Sequence, residues 1–156
     1  ECIRSQRYQS PLALLMIDVD HFKHYNDQNG HPAGDVVLRE MARIFRQATR
    51  QSDLVARYGG EEFAIILVES SATEALTVAR RINELVRTQP FEFAERQPPG
   101  YISVSIGVAN WEQHGHSPQE LIQAADVALY RAKHNGRDQY CVAKPSDATA
   151  SEEGDQ

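Results

Sequence analysis

The chain has 156 residues, 41% of them apolar and 24% charged, which suits one soluble domain with a buried core; no apolar run approaches membrane-spanning length. A net charge of −6 argues against a domain that grips nucleic acid through its phosphate backbone, which needs clustered Lys and Arg, but leaves room for one nucleotide held by a metal and a few cations. Cys2 and Cys141, near opposite ends, make neither a disulfide framework nor a zinc site, so a reduced, cytoplasmic setting is expected. The sequence opens on Glu1 without a visible signal peptide, and is expected to be cut from a longer protein with a sensor, membrane or signalling region upstream.

PLALLMIDVD (11–20) is a continuous apolar run ending in acid, the pattern of a buried strand that empties into a site. Residues 21–29 read as a turn closed by Asn29-Gly30, and Pro32 suits the first turn of a helix. Along that helix Val37, Leu38, Met41, Ile44, Phe45 and Ala48 form one apolar stripe. DLVARY (53–58) and EFAIIL (62–67) flank Gly59-Gly60 and predict a β-hairpin. Ser71 and Glu74 form a capping box that opens a helix with the stripe Leu76, Ala79, Ile82 and Val86.

The stretch from Pro90 to Gly100 reads as a loop with a short edge strand at Phe91–Phe93. YISVSIGVA (101–109) is the next strand. A second capping box, Ser117 to Glu120 with Pro118 at the first helical position, opens a helix that ends by Asn135-Gly136. QYCVA (139–143) is a last short strand. Residues 1–144 make one domain, and the acidic tail 145–156 is expected to be disordered. The predicted fold is α/β, an α+β sandwich: a single sheet with an antiparallel hairpin at its heart, flanked by amphipathic helices.

Asp18 and Asp20 lie two apart, so in a strand they share a face. Asp-x-Asp at a strand end also occurs in phosphatases of the haloacid-dehalogenase type, and one of the two acids can simply cap the following turn. Glu61 and Glu62 follow the glycine pair, where absent side chains let a ligand approach the backbone. If the first strand and the hairpin are sheet neighbours, Asp18 and Glu61 converge. Converging carboxylates repel unless a cation joins them, and hard oxygen ligands suit Mg²⁺ carrying a polyphosphate. Lys23, Lys133 and Arg137 are candidate phosphate cations, although the latter two also suit a helix C-terminus.

RYGGEEF (57–63) resembles the signature of GGDEF domains, the diguanylate cyclases, in its GGEEF form. IDVDHFKHYNDQNGHPAGD (17–35), SVSIGVA (103–109) and ADVALYRAKHNGR (125–137) resemble the family's other blocks in order and spacing, over roughly residues 11–143. The resemblance implies a fold related to nucleotidyl cyclases and the palm of polymerases, and condensation of two GTP to cyclic di-GMP and two pyrophosphates across a homodimer. It implies two Mg²⁺ (or Mn²⁺) ions on Asp18, Glu61, Glu62 and the carbonyl of Val19, with Glu62 alternatively deprotonating the 3′-hydroxyl. Asn26 and Asp35 would read the guanine edge. Phe22, Lys23, Gly59, Gly60, Lys133, Arg137 and the amides of the 20–23 turn would hold the rest of the nucleotide. Asp20 receives no catalytic task.

Arg50 and Asp53 form the Arg-x-x-Asp where the family places its inhibitory product site, with Arg81 as an added contact. A plainer explanation, a helix-end Arg and a turn-opening Asp, serves the same residues. The family's usual Leu-Thr-Gly-Leu-type segment and helix before the first strand are replaced by ECIRSQRYQS. The rival function is a module that binds GTP or cyclic di-GMP and signals to a partner without catalysis.

Overall fold

A computed structural model describes residues 1–149. The elements are α1 (Cys2–Tyr8), β1 (Leu12–Val19), α2 (Phe22–Asn29), α3 (His31–Ala48), β2 (Leu54–Arg57), β3 (Glu62–Val68), α4 (Ala72–Thr88), β4 (Val104–Asn110), α5 (Pro118–His134) and β5 (Tyr140–Val142). They form a single sheet in the order β2-β3-β1-β4-β5, antiparallel except for β4 with β5.

All eight residues of β1 are buried, because the strand is covered on both faces. Ala13, Leu15, Ile17 and Val19 join a core with α3 and α4, including Met41, Phe45, Ala79 and Ile82. Leu14 and Met16 face the other way into a smaller core with Leu121, Ala125, Ala128 and Leu129 of α5. β3 alternates, burying Phe63, Ile65 and Leu67, and Phe63 meets Phe45 edge-on at 5.0 Å. The sandwich expected from the sequence is thus present. Its centre, however, is β1: the β2–β3 hairpin lies to one side, with β2 at the edge.

The capping box of α4 forms as predicted, with Glu74 N donating to Ser71 Oγ at 3.2 Å and Ser71 N to Glu74 Oε2 at 2.8 Å. At α5 only half of the second box forms. Ser117 Oγ accepts from Glu120 N, but the Glu120 carboxylate turns to His116 N.

Other expectations are corrected. Residues 22–29 are a helix rather than a turn, held by tertiary contacts that its polar sequence does not announce. Phe22 and Tyr25 stack at 6.4 Å, and Tyr25 OH donates to Glu92 O at 2.9 Å. Phe91–Phe93 is not a strand, because Phe93 turns left-handed (φ 60°) into a 3₁₀ turn, Ala94–Arg96. ECIRSQRYQS contains the short helix α1. Pro145–Thr149, expected within the disordered tail, form a 3₁₀ turn whose buried Asp147 pairs with Arg131 at 2.8 Å. The remainder of that tail, 150–156, lies outside the described residues.

Candidate active site

The site forms where β1 ends. Register places Asp18 directly opposite Glu62 on β3 and Ser105 on β4, so Asp18 and Glu62 project from one face of the sheet. Glu61 lies one residue outside β3, and its carbonyl accepts from Val19 N at 3.2 Å. Sequence reasoning paired Asp18 with Glu61; the sheet supplies Glu62 as the cross-strand partner as well.

Burial pushes the Asp18 carboxyl up to about 6, with Glu61 and Glu62 adding to the rise and Lys133 opposing it. Lys133 Nζ donates to Asp18 Oδ2 at 2.7 Å, so α5 delivers its lysine to the carboxylate itself.

Among the described residues no group of three or more His, Cys, Asp or Glu side chains forms a ready-made metal cage. The donor set still fits Mg²⁺, which usually takes one or two carboxylates and completes its shell with water and substrate phosphates. The mutual repulsion felt at Asp18 gives such a cation a reason to be held.

The hairpin tip is fixed by a residue to which sequence reasoning gave no task. Arg57 donates to the carbonyls of Gly59 (3.2 Å) and Gly60 (3.1 and 2.6 Å), while Tyr58 N and Gly59 N donate to Glu62 O. Neither Gly59 nor Gly60 has a left-handed backbone, and a Cβ at Gly60 would meet nothing within 4 Å. The protein's own packing therefore does not demand glycine at position 60.

Of the two expected base-reading residues, Asn26 packs where α2 meets α3 and Asp35 stands on α3 itself. Asn26 Oδ1 is buried with no hydrogen-bond partner, and it lies where a Cβ at Gly34 would stand, 1.8 Å away. Asp35 follows Gly34, is exposed, and lines a cavity of about 400 Å³ with Leu38, Arg39, Arg46, Arg57 and Phe63. The buried Asn26 amide oxygen is thus an acceptor left without a partner, packed against Gly34 at the start of α3.

Phe22, expected at the nucleotide, is a core residue, 6% exposed. Lys23 is exposed. In the 20–23 turn, Asp20 N is already committed to Ser103 O at 3.0 Å, which leaves the amides at the start of α2 as candidate donors. Arg137 is exposed, in a left-handed turn (φ 64°) after α5. Asp20 is buried and accepts from two serine hydroxyls, in keeping with a structural part.

Arg50, Asp53 and Arg81 meet in a separate cavity of about 240 Å³ at the far end of β2, together with Glu74. Asp53 Oδ2 caps Arg50 N at 2.8 Å and its Oδ1 accepts from Val68 N at 3.0 Å, so the turn-opening explanation holds. Arg50 pairs with Glu74 at 3.1 Å, and Arg81 donates to Ala48 O at 3.4 Å. Glu74 was legible only as a helix cap.

The chain is 41% identical over 133 residues to diguanylate cyclase A of Treponema denticola, covering 85% of this chain and 35% of that protein; it thus spans about a third of that relative's length. The active GGEEF domain of a diguanylate cyclase from Vibrio cholerae superposes with a TM-score of 0.82 at 33% identity, covering 91% of this chain and 88% of that one. The GGDEF domain of DgcB from Caulobacter crescentus, solved in complex with c-di-GMP, gives a TM-score of 0.80 at 31% identity, covering 96% and 84%. With residues 1–139 matching the family described as diguanylate cyclase, GGDEF domain, the chain belongs to the GGDEF family.

Proposed function

We propose that this domain condenses two GTP into cyclic di-GMP and two pyrophosphates. The observation that carries the reading is the register of Asp18 against Glu62, with Glu61 alongside, beneath a glycine tip whose position 60 opens onto free space. The names of the related cyclases support it.

Asp18, Glu61, Glu62 and the carbonyl of Val19 would hold two Mg²⁺ or Mn²⁺ ions. Bound there, the ions would lower the charge on the phosphates and favour ionisation of the attacking hydroxyl. Asn26 Oδ1 and Asp35 accept from the N1–H and N2–H donors of guanine, which adenine does not present in that pattern. The amides at the start of α2 and the space at Gly59 and Gly60 admit the phosphates, with Lys23, Lys133 and Arg137 supplying positive charge. Lys133 Nζ lies 2.7 Å from Asp18 Oδ2. A metal–triphosphate offers each a replacement partner, cation for Asp18 and phosphate for Lys133.

The 3′-oxygen of one GTP attacks the α-phosphorus of the other. A P–O bond forms as the bond to pyrophosphate breaks, and the 3′-proton leaves to solvent or through Glu62. Two such steps close the ring. One domain carries one nucleotide, so two copies must face each other. Product would bind at Arg50, Asp53 and Arg81 and restrain turnover. We place the activity in the cytoplasm, where GTP is available.

The test is incubation with GTP and Mg²⁺ at several protein concentrations, with products resolved by chromatography and mass detection. Cyclic di-GMP should appear faster than linearly with protein, and Glu61→Gln should abolish it with little change in folding. GTP binding without product, even after fusion to a dimerising coiled coil, would make the domain a receptor instead.

A further inference from the structure

The turn after α5 is an unusual piece of backbone. Gly136 (φ 110°), Arg137 (φ 64°) and Asp138 (φ 49°) are three consecutive left-handed residues, and only the first is glycine. A helix can end with one left-handed residue, usually Gly, and needs no more. Extending the run through Arg and Asp is unfavourable and persists only where the surroundings impose it.

The surroundings here are specific. Asp138 N donates to Asp20 Oδ2 at 3.0 Å. The Asp138 carboxylate takes Arg87 Nε and Nη2 at 3.0 and 2.9 Å, and Tyr101 OH at 3.0 Å. Asp20 is 2% exposed, makes no ion pair among the described residues, and is held by Ser103 Oγ (2.7 Å) and Ser105 Oγ (2.6 Å). Three parts of the fold therefore clamp the turn: the end of β1, helix α4, and the segment entering β4. What the clamp presents is Arg137, exposed and without a carboxylate partner among the described residues. Asp20 lies two residues from Asp18, so the clamp fixes Arg137 in the frame of the carboxylate that would hold the metal.

We propose that Asp20 and Asp138, the latter braced by Arg87 and Tyr101, are positioning residues that set Arg137 at the nucleotide's terminal phosphates. The proposal rests on the reading of Arg137 as a phosphate ligand. Asp20 itself touches no substrate. It acts through the main chain of Asp138, while Arg87 acts from outside the site through the Asp138 side chain. Loss of either brace lets the turn relax and moves the guanidinium, and a displacement of about 1 Å is enough to weaken a charge-assisted contact severely.

The test compares binding of 3′-deoxy-GTP, which lacks the attacking hydroxyl and cannot condense, with binding of GMP, which lacks the β- and γ-phosphates. Affinities would be measured by calorimetry with Mg²⁺ for Asp20→Ala, Arg87→Ala and Arg137→Ala. Arg87 lies at the surface, so its variant tests the clamp even where Asp20→Ala folds poorly. Each variant should weaken 3′-deoxy-GTP by roughly tenfold and leave GMP unchanged, and neither brace variant should add to the loss once Arg137 is alanine. If Arg137→Ala weakens 3′-deoxy-GTP but Arg87→Ala does not, or if Arg87→Ala weakens both ligands equally, the positioning role is wrong. If Arg137→Ala itself has no effect, the phosphate reading falls, and the positioning role with it.

Discussion

Gly107, in the middle of β4, faces α5 so closely that a Cβ built there would stand 2.0 Å from Ala125 O and 2.4 Å from Leu129 N. Both are backbone atoms and cannot swing aside. Ordinary contact begins near 3.4 Å, so Gly107→Ala must drive the helix back by about 1.4 Å. Overpacking of this kind costs about 3 kcal/mol, the upper end of the usual range, because Leu121, Ala125, Ala128 and Leu129 lose their fit to the sheet together. For a domain of this size that corresponds to a fall in Tm of about 6–12 °C. The same retreat withdraws Lys133 from Asp18, so turnover should drop by roughly 10²-fold when assayed well below the variant's melting transition. Gly100→Ala is the control: its φ of 87° strains a side chain, but no atom lies within 4 Å, so the cost should be only about 1 kcal/mol. Circular-dichroism melts and a cyclic di-GMP assay read both effects. A Gly107→Ala protein that melts within about 2 °C of wild type, or turns over normally, would refute the close-approach argument.

Asp18→Asn should abolish activity yet stabilise the metal-free domain. The folded carboxyl holds its proton up to about 6, against ~4 in the unfolded chain, so its ionisation costs stability as pH rises through that window. In EDTA the variant should gain about 1–3 kcal/mol at pH 7.5, with the gain vanishing near pH 4; a gap that ignores pH would contradict it. Gly60→Ala should leave the unfolding free energy within about 0.5 kcal/mol of wild type, because no atom of the chain lies within 4 Å, while raising the KM for GTP. Equal KM values would show that the phosphates do not approach there. Arg50→Ala should raise the cyclic di-GMP concentration needed for half-inhibition by about tenfold and leave the initial rate alone, since it removes one charge-assisted partner. Equal inhibition in both proteins would sink the product site.

Local chemistry made much of this protein legible in its sequence. PLALLMIDVD announces a doubly buried strand because eight consecutive buried residues leave no polar alternation, and Ser71 and Glu74 form the box that their spacing implies. The glycine pair and the paired glutamates marked the candidate site, whereas Lys133 and Arg137 by themselves read equally well as cations at a helix C-terminus. Where propensity is weak and distant contacts contribute, the sequence was silent: the helix within HFKHYNDQN is tied down by Tyr25 OH donating to Glu92 O and by Asn26 packing on Gly34.

The sequence by itself determined which side chains exist, the periodicity of the helices and strands, and the set of residues able to hold a phosphate, a base and a cation. Only the tertiary structure decided which of them meet. Register set Asp18 against Glu62, α5 brought Lys133 to Asp18, and Asp20 reached across to Asp138 and the turn that carries Arg137. The reason is physical: periodicity is encoded between neighbours a few residues apart, whereas strand register and helix placement are settled by packing between segments as many as 118 residues apart in the chain.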